Sequence, residues 1–112
     1  MNKKNVNTRK INLQEIKELV INVFQNQGCD IPNANALANT IVSAEQDGSS
    51  SHGLFRVPGY VASLQSGKVN GKSSPKVEHQ TPVILKCNSD NGFTSYSHEI
   101  ALPMLVEAAK IN

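Results

Sequence analysis

Between Asp47 and Tyr60 the chain reads DGSSSHGLFRVPGY, and three of those side chains can do chemistry. His52 can give or take a proton near neutral pH. Arg56 can hold a carboxylate through two parallel hydrogen bonds, and Tyr60 can donate from its phenol. Ser51 stands beside the histidine in a run of serines and glycines (Gly48, Ser49, Ser50, Gly53) that lets the backbone turn and approach a ligand closely. Together these groups could orient a small carboxylic acid and move one proton on it. A serine- and glycine-rich turn ahead of a helix equally suits a histidine that is only solvated or structural, and the residues alone leave both readings standing.

His52, Arg56 and Tyr60 recur at four-residue steps, which would align them on one face of a helix. Pro58 limits that alignment, because proline lacks an amide hydrogen and is tolerated only near a helix start. The regular helix is therefore expected to begin between Gly53 and Pro58, with His52 on the loop ahead of it.

The elements that must hold this stretch are legible on both sides. Asn12 and Glu15 fit a capping box, and Ile16, Leu19, Val20, Val23 and Phe24 follow at three- and four-residue steps until Gly28. A short Cys29–Pro32 link leads to a second helix, Asn33–Gln46, whose Ala34, Leu37, Ala38, Ile41 and Val42 would cover the first. The third helix is expected over Pro58–Ser66, ending at Gly67. Lys76–His79 and Val83–Cys87 read as short strands around Thr81-Pro82, and Asp90-Asn91-Gly92 as a turn. A last helical pattern (Ile100, Ala101, Met104, Leu105, Ala108, Ala109) contains Pro103, so it is expected to start late, near Ile100, or to kink. Strand, glycine turn and helix ordinarily lead into a further strand, so the sequence reads as an α/β unit stopped part-way. The expected organisation is a disordered basic tail (1–11), a helical segment (12–72) and the truncated start of an α/β domain (73–112). Within this length the class is α+β: three helices, a short strand pair and a helix.

Composition bounds the rest. The 112 residues suffice for one domain with a modest core, and 38% hydrophobic with 18% charged is an ordinary soluble balance with no membrane-spanning run. Four of the eleven basic residues (Lys3, Lys4, Arg9, Lys10) fall in the first ten positions, against none of the nine acidic ones. The tail is basic and the body slightly acidic. Cys29 and Cys87, far apart and with no CxxC pair or signal-peptide pattern, point to reduced thiols in a cytoplasmic chain.

Several motifs fail on spacing. Gly67-Lys68-Val69-Asn70-Gly71-Lys72-Ser73 has three residues between its glycines where a phosphate-binding loop needs four, and no GxGxxG occurs. His52, His79 and His98 lack the paired spacing of a zinc site, so no metal is expected. A helix-turn-helix reading fails because Asn33–Gln46 has no lysine or arginine to meet phosphates, so no nucleic-acid partner is expected.

The stretch DGSSSHGLFRVPGYVASLQSGKVN, preceded by a helix, a short link and an alanine-rich helix, resembles the start of the type-2 malate/L-lactate dehydrogenase family. The resemblance runs from about Asn12 to Asn112 and covers only the N-terminal part of a family member. It implies an NAD(P)-dependent oxidoreductase for small 2-hydroxy or 2-oxo acids or related cyclic imino acids, commonly a homodimer, with a cofactor fold that is not Rossmann-type. Carried over by position, the resemblance makes His52 the proton donor or acceptor and Arg56 the partner of the substrate carboxylate. Ser51 and Tyr60 become neighbouring substrate-side positions, and the cofactor is NAD or NADP. SDNGFTSYSHEIALPMLVEAAKIN resembles a later glycine turn and helix of the family, although Thr94 stands where a second glycine is usual and Pro103 is unexpected there. The competing expectation is a non-catalytic helical remnant that associates with itself or with a partner through apolar surface left uncovered.

Overall fold

The computed structural model describes residues 12–111, and the tail expected over residues 1–11 lies outside them. Helix α1 (Leu13–Asn26) starts at Asn12, whose Oδ1 accepts a hydrogen bond from the Glu15 amide at 2.8 Å, the expected N-cap. Ile16, Val20 and Phe24, one turn apart, are all buried. Helix α2 (Ile31–Gln46) lays Ala34, Leu37, Ala38 and Ile41 into the same core. It begins at Ile31 rather than the expected Asn33 because Asp30 caps it, Oδ1 accepting from the Asn33 amide at 3.1 Å. Pro32 in the first turn has no amide to leave unpaired.

Both helices end on glycine. Gly28 (φ +104°) and Gly48 (φ +78°) sit in the left-handed region that glycine enters without steric cost. Cys29 N–H then reaches Phe24 O at 2.9 Å and Ser49 N–H reaches Ala44 O at 2.8 Å, the long-range bonds of a Schellman ending. Two short 3-10 turns, Ser50–His52 and Leu54–Arg56, lead into α3 (Val57–Gln65), close to the expected span. Val57, Tyr60, Val61 and Leu64 pack on the helical core.

Strands β1 (Lys76–His79) and β2 (Leu85–Asn88) form an antiparallel hairpin that pairs Lys76 with Asn88 and His79 with Leu85. The second strand was expected from Val83. Instead Val83 and Ile84 belong to the connecting turn, where Thr81 Oγ1 accepts from the Ile84 amide at 3.0 Å and Gln80 N–H bonds Ile84 O at 2.8 Å. The next turn falls where expected, closed by Gly92 N–H to Ser89 O at 3.0 Å, but its positive φ angles (56° each) belong to Asp90 and Asn91. Gly92 is required for a different reason, since a Cβ there would collide with the Ser73 side chain. Helix α4 (Thr94–Ile111) follows at once and runs through Pro103. The expected late start near Ile100 is not found, because the turn at Ser89–Gly92 delivers the chain directly into helix at Thr94.

The architecture is therefore α+β, with the core on the helical side. No residue of β1 or β2 is buried, and α4 buries only Ser97 and Ala108. The radius of gyration, 16.8 Å, exceeds the roughly 13 Å of a compact 100-residue domain. Helix α4 is tied to α2 by Thr40 Oγ1 to Ser95 Oγ at 3.0 Å and Asn39 Nδ2 to Glu99 Oε1 at 3.1 Å, and the segment leading into the hairpin is tied back by a buried polar contact. Asn33, fully buried, donates from Nδ2 to Ser73 O at 3.1 Å and accepts from Ser73 Oγ at 3.0 Å. Next to it, Gly71 lies so close to Gly28 O that a Cβ would come within 2.8 Å.

Two outcomes are expected. Asn33→Ala would strand both Ser73 oxygens without partners, costing about 1–3 kcal/mol, read as a lower urea midpoint at unchanged m value. An unchanged midpoint would show that this contact does not join the two parts. Burial, aided by the Asp30 carboxylate, pushes the Cys29 thiol up from 9.0 to about 11. The folded state thus disfavours the thiolate, and this contribution to stability is fully present below about pH 9 and is lost as pH rises through about 11. Alkylation followed by mass spectrometry should label the exposed Cys87 in the native chain and spare Cys29 until urea is added.

Candidate functional site

The stretch singled out in the sequence is a sharply folded connection between α2 and α3. After the Schellman ending at Gly48, His52 N–H bonds Ser49 O at 2.9 Å and closes the first 3-10 turn. The chain changes direction at Gly53 (φ −96°, ψ −130°), and Arg56 N–H bonds Gly53 O at 2.9 Å to close the second. His52, Arg56 and Tyr60 do not share one helical face. They stand on three consecutive elements, and a 3-10 turn repeats every three residues, so a four-residue spacing does not stack there. The regular helix starts at Val57 with Pro58 in its first turn, inside the expected window.

Three of the four expected residues lie exposed within the turn. Ser51, His52 and Arg56 are all exposed. Arg56 Nε donates to Ser51 O at 3.1 Å, which fixes the guanidinium by its inner nitrogen. Its two terminal nitrogens have no partner among the described residues, and they are the pair that suits a carboxylate end-on. Tyr60 is placed differently. Its ring lies between Phe24 (centroids 6.1 Å) and Phe93 (5.3 Å, edge to face), within the aromatic part of the core.

One residue that sequence reasoning did not assign to the site shapes it. Glu45, in the last turn of α2, accepts from the Leu54 amide through Oε2 at 2.9 Å. A carboxylate near a helix C-terminus opposes the helix dipole by roughly 0.3–1 kcal/mol. A hydrogen bond to a charged group contributes about 1.5–3 kcal/mol, and less here because the pair is exposed to solvent. An acid placed against the dipole was the available signal that Glu45 has a task outside its own helix.

Most of the turn lies open to solvent. The two clefts of note lie elsewhere: an open apolar one of about 430 Å³ between the hairpin loop and the end of α4, lined by His79, Pro82, Met104, Glu107, Ala108 and Ile111, and a polar one of about 380 Å³ at Ser74, Lys76, Asn88 and Asp90. Neither contains a group from the turn. Among the described residues no group of three or more His, Cys, Asp or Glu is arranged to hold a metal ion, and no helix is long and apolar enough to cross a membrane.

Comparison with known proteins gives the family of the chain. Residues 11–112 match the family model described as malate/L-lactate dehydrogenase. A Delta(1)-pyrroline-2-carboxylate/Delta(1)-piperideine-2-carboxylate reductase of Pseudomonas putida is 36% identical over 96 residues, covering 86% of this chain and 28% of the relative. The protein of the same name from Pseudomonas syringae pv. tomato is 35% identical over 103 residues, covering 92% and 30%. Among solved structures, delta1-piperideine-2-carboxylate reductase from Pseudomonas syringae pv. tomato superposes with a TM-score of 0.88 at 35% identity, covering 92% of this chain and 31% of that one. Malate dehydrogenase from Pyrococcus horikoshii OT3 (TM-score 0.84, 22% identity, 93% and 30% covered) shares the fold. The chain thus spans less than a third of the length of these relatives.

Proposed function

The chain belongs to the malate/L-lactate dehydrogenase family, and from that premise we propose that it is the N-terminal portion of an NAD(P)-dependent oxidoreductase. Its substrate class is a small acid with a carbonyl or imine carbon next to the carboxylate: a 2-oxo acid and its 2-hydroxy partner, or a cyclic 2-imino acid. The observation that carries this reading is the Arg56–Ser51 contact, which presents a fixed guanidinium on the same exposed turn as His52. The names of three relatives at 35–36% identity, each a reductase of a cyclic 2-imino acid, favour the imine over the ketone.

The residues divide the work. Arg56 takes the two carboxylate oxygens through its terminal nitrogens, and Ser51 holds the inner nitrogen still, which sets the orientation of the neighbouring carbon. His52 delivers a proton to the heteroatom of the double bond during reduction and removes it during oxidation. A bound nicotinamide supplies or accepts the hydride at that carbon. Ser51 Oγ and the phenol of Tyr60 are placed on the substrate side by motif position, Tyr60 from a ring anchored in the core. The exposed imidazole, guanidinium and serines fit the substrate end of such a reaction. No described residue is assigned to the dinucleotide, whose site we place in the remaining two thirds of a family member, with a cofactor fold that is not Rossmann-type.

The same reading makes residues 12–72 the helical lead-in and residues 73–112 the first unit of a further α/β domain. It accords with a core drawn mainly from the helical side, to which Phe93 adds from beyond residue 72, and with exposed apolar residues along α4. It also makes the complete protein a cytoplasmic homo-oligomer, in keeping with two unpaired cysteines. The uncovered face of α4 equally suits the competing role of a non-catalytic association module, and activity separates the two.

The decisive experiment replaces the matching third of the Pseudomonas syringae reductase with residues 12–111 of this chain. The hybrid is assayed with NADH and NADPH against a cyclic 2-imino acid and against pyruvate. Turnover supports the oxidoreductase reading, and a folded but inactive hybrid overturns it. In the active hybrid, His52→Ala should lower kcat by about a hundred- to ten-thousand-fold. Arg56→Lys should raise KM, because an ammonium cannot make the planar two-point contact. Parental kinetics in either variant would remove that residue from the site.

A further inference from the structure

The Gly53 bend between the two 3-10 turns is held from outside by a single side chain. Glu45 Oε2 accepts from the Leu54 amide at 2.9 Å, directly after the bend. Gly53 is buried beneath the same side chain, and a Cβ built there would run into the carboxylate, lying 2.7 Å from Glu45 Cδ and 2.9 Å from Cγ. One hydrogen bond and one steric contact therefore converge on the bend. His52 precedes Gly53 by one residue, and Arg56 closes its own turn on Gly53 O at 2.9 Å. The backbone that carries imidazole and guanidinium is thus the backbone that Glu45 grips.

We propose that Glu45 is a positioning residue for His52 and Arg56, locking the bend at Gly53 so that proton donor and carboxylate clamp keep a fixed separation. The proposal rests on the reading of His52 and Arg56 as the substrate-facing pair. Glu45 acts through the Leu54 amide and touches no substrate. Gly53 complements it, because any larger residue would displace the carboxylate from that amide.

Two measurements test this. In the 112-residue chain, hydrogen exchange read by NMR follows the Leu54 amide. Glu45→Ala should speed its exchange roughly tenfold or more, while the amides of Val20 and Phe24 in α1 keep their rates. Glu45→Gln, which retains an acceptor oxygen, should restore most of the protection. An unchanged Leu54 rate in Glu45→Ala overturns the proposal.

In the hybrid enzyme, Glu45→Ala should lower kcat/KM roughly tenfold to a hundredfold at unchanged melting temperature, with Glu45→Gln close to the parent. Gly53→Ala, which leaves Glu45 present but evicts its carboxylate, should reproduce the Glu45→Ala defect. His52→Ala separates the proposal from its premise. Parental activity in His52→Ala sinks the site reading and the positioning role together. A crippled His52→Ala beside a parental Glu45→Ala, or an equal loss in Glu45→Ala and Glu45→Gln with a lowered melting temperature, overturns the positioning role alone.

Discussion

The fold depends on one buried polar contact, Asn33 to Ser73. Asn33 is wholly buried and Ser73 nearly so, and neither could stay there unpaired, since an unsatisfied buried amide or hydroxyl costs more than its hydrogen bond returns. The asparagine resolves this with both ends of its amide: Nδ2 donates to Ser73 O and to Asp30 Oδ1, and Oδ1 accepts from Ser73 Oγ. The same Asp30 oxygen caps α2. Helix start, inter-element contact and loop position are one network, and Gly92 rests against the Ser73 side chain from the far side. Apolar packing alone would let the segment that leads into the hairpin slide on the helical pair. A network with directional partners does not.

A second consequence follows for the turn between α2 and α3. Its N-terminal anchor is the end of α2, which Ile41, Leu37 and Ala38 hold in the core, and its C-terminal anchor is Tyr60, wedged between Phe24 and Phe93. Between these anchors almost nothing is buried, so the shape of the turn is set by hydrogen bonds rather than by packing. Ser49 to Ala44, His52 to Ser49, Leu54 to Glu45, Arg56 to Gly53 and Arg56 to Ser51 follow one another along the chain. Side chains can face solvent from such a frame and still be ordered, which is what a small set of reactive groups needs.

What was legible in the sequence was local. The stripe of α1, the Asn12 cap, the glycine stops at Gly28 and Gly67 and the first strand all follow from residues within a few positions of one another. What was missed depended on residues far apart in the chain or on competing local bonds. Thr81 takes Val83 and Ile84 from the second strand by capping a turn. Gly92 is set by Ser73, nineteen positions earlier, and not by its own φ. Helix α4 begins at Thr94 because Asp90 and Asn91 accept positive φ, a tolerance that the Asp-Asn-Gly signal allows but does not assign to particular residues. For the site, residue types and their clustering were visible, whereas the split at Gly53, the Ser51–Arg56 contact and the core position of the Tyr60 ring were not. An i, i+4 pattern says nothing of a 3-10 turn.

The exposure of the turn also limits what it can do unaided. A guanidinium and a carboxylate about 4 Å apart attract by roughly 1 kcal/mol in bulk water and by roughly 4 kcal/mol at the effective dielectric of a partly enclosed site. With Ser51, His52 and Arg56 all facing solvent, the first figure applies, too little to order a small acid against the translational freedom it loses. Raising it requires a second wall that excludes water, and neither of the two clefts described above meets the turn. The apolar cleft by α4, with Leu102, Leu105 and Ile111 exposed along the helix, shows where nonpolar cover is also lacking. A chain that spans less than a third of its relatives thus presents exposed polar groups on a turn shaped by its own hydrogen bonds. On the proposed reading, Arg56 becomes a clamp and His52 a directed proton donor only within a low-dielectric enclosure.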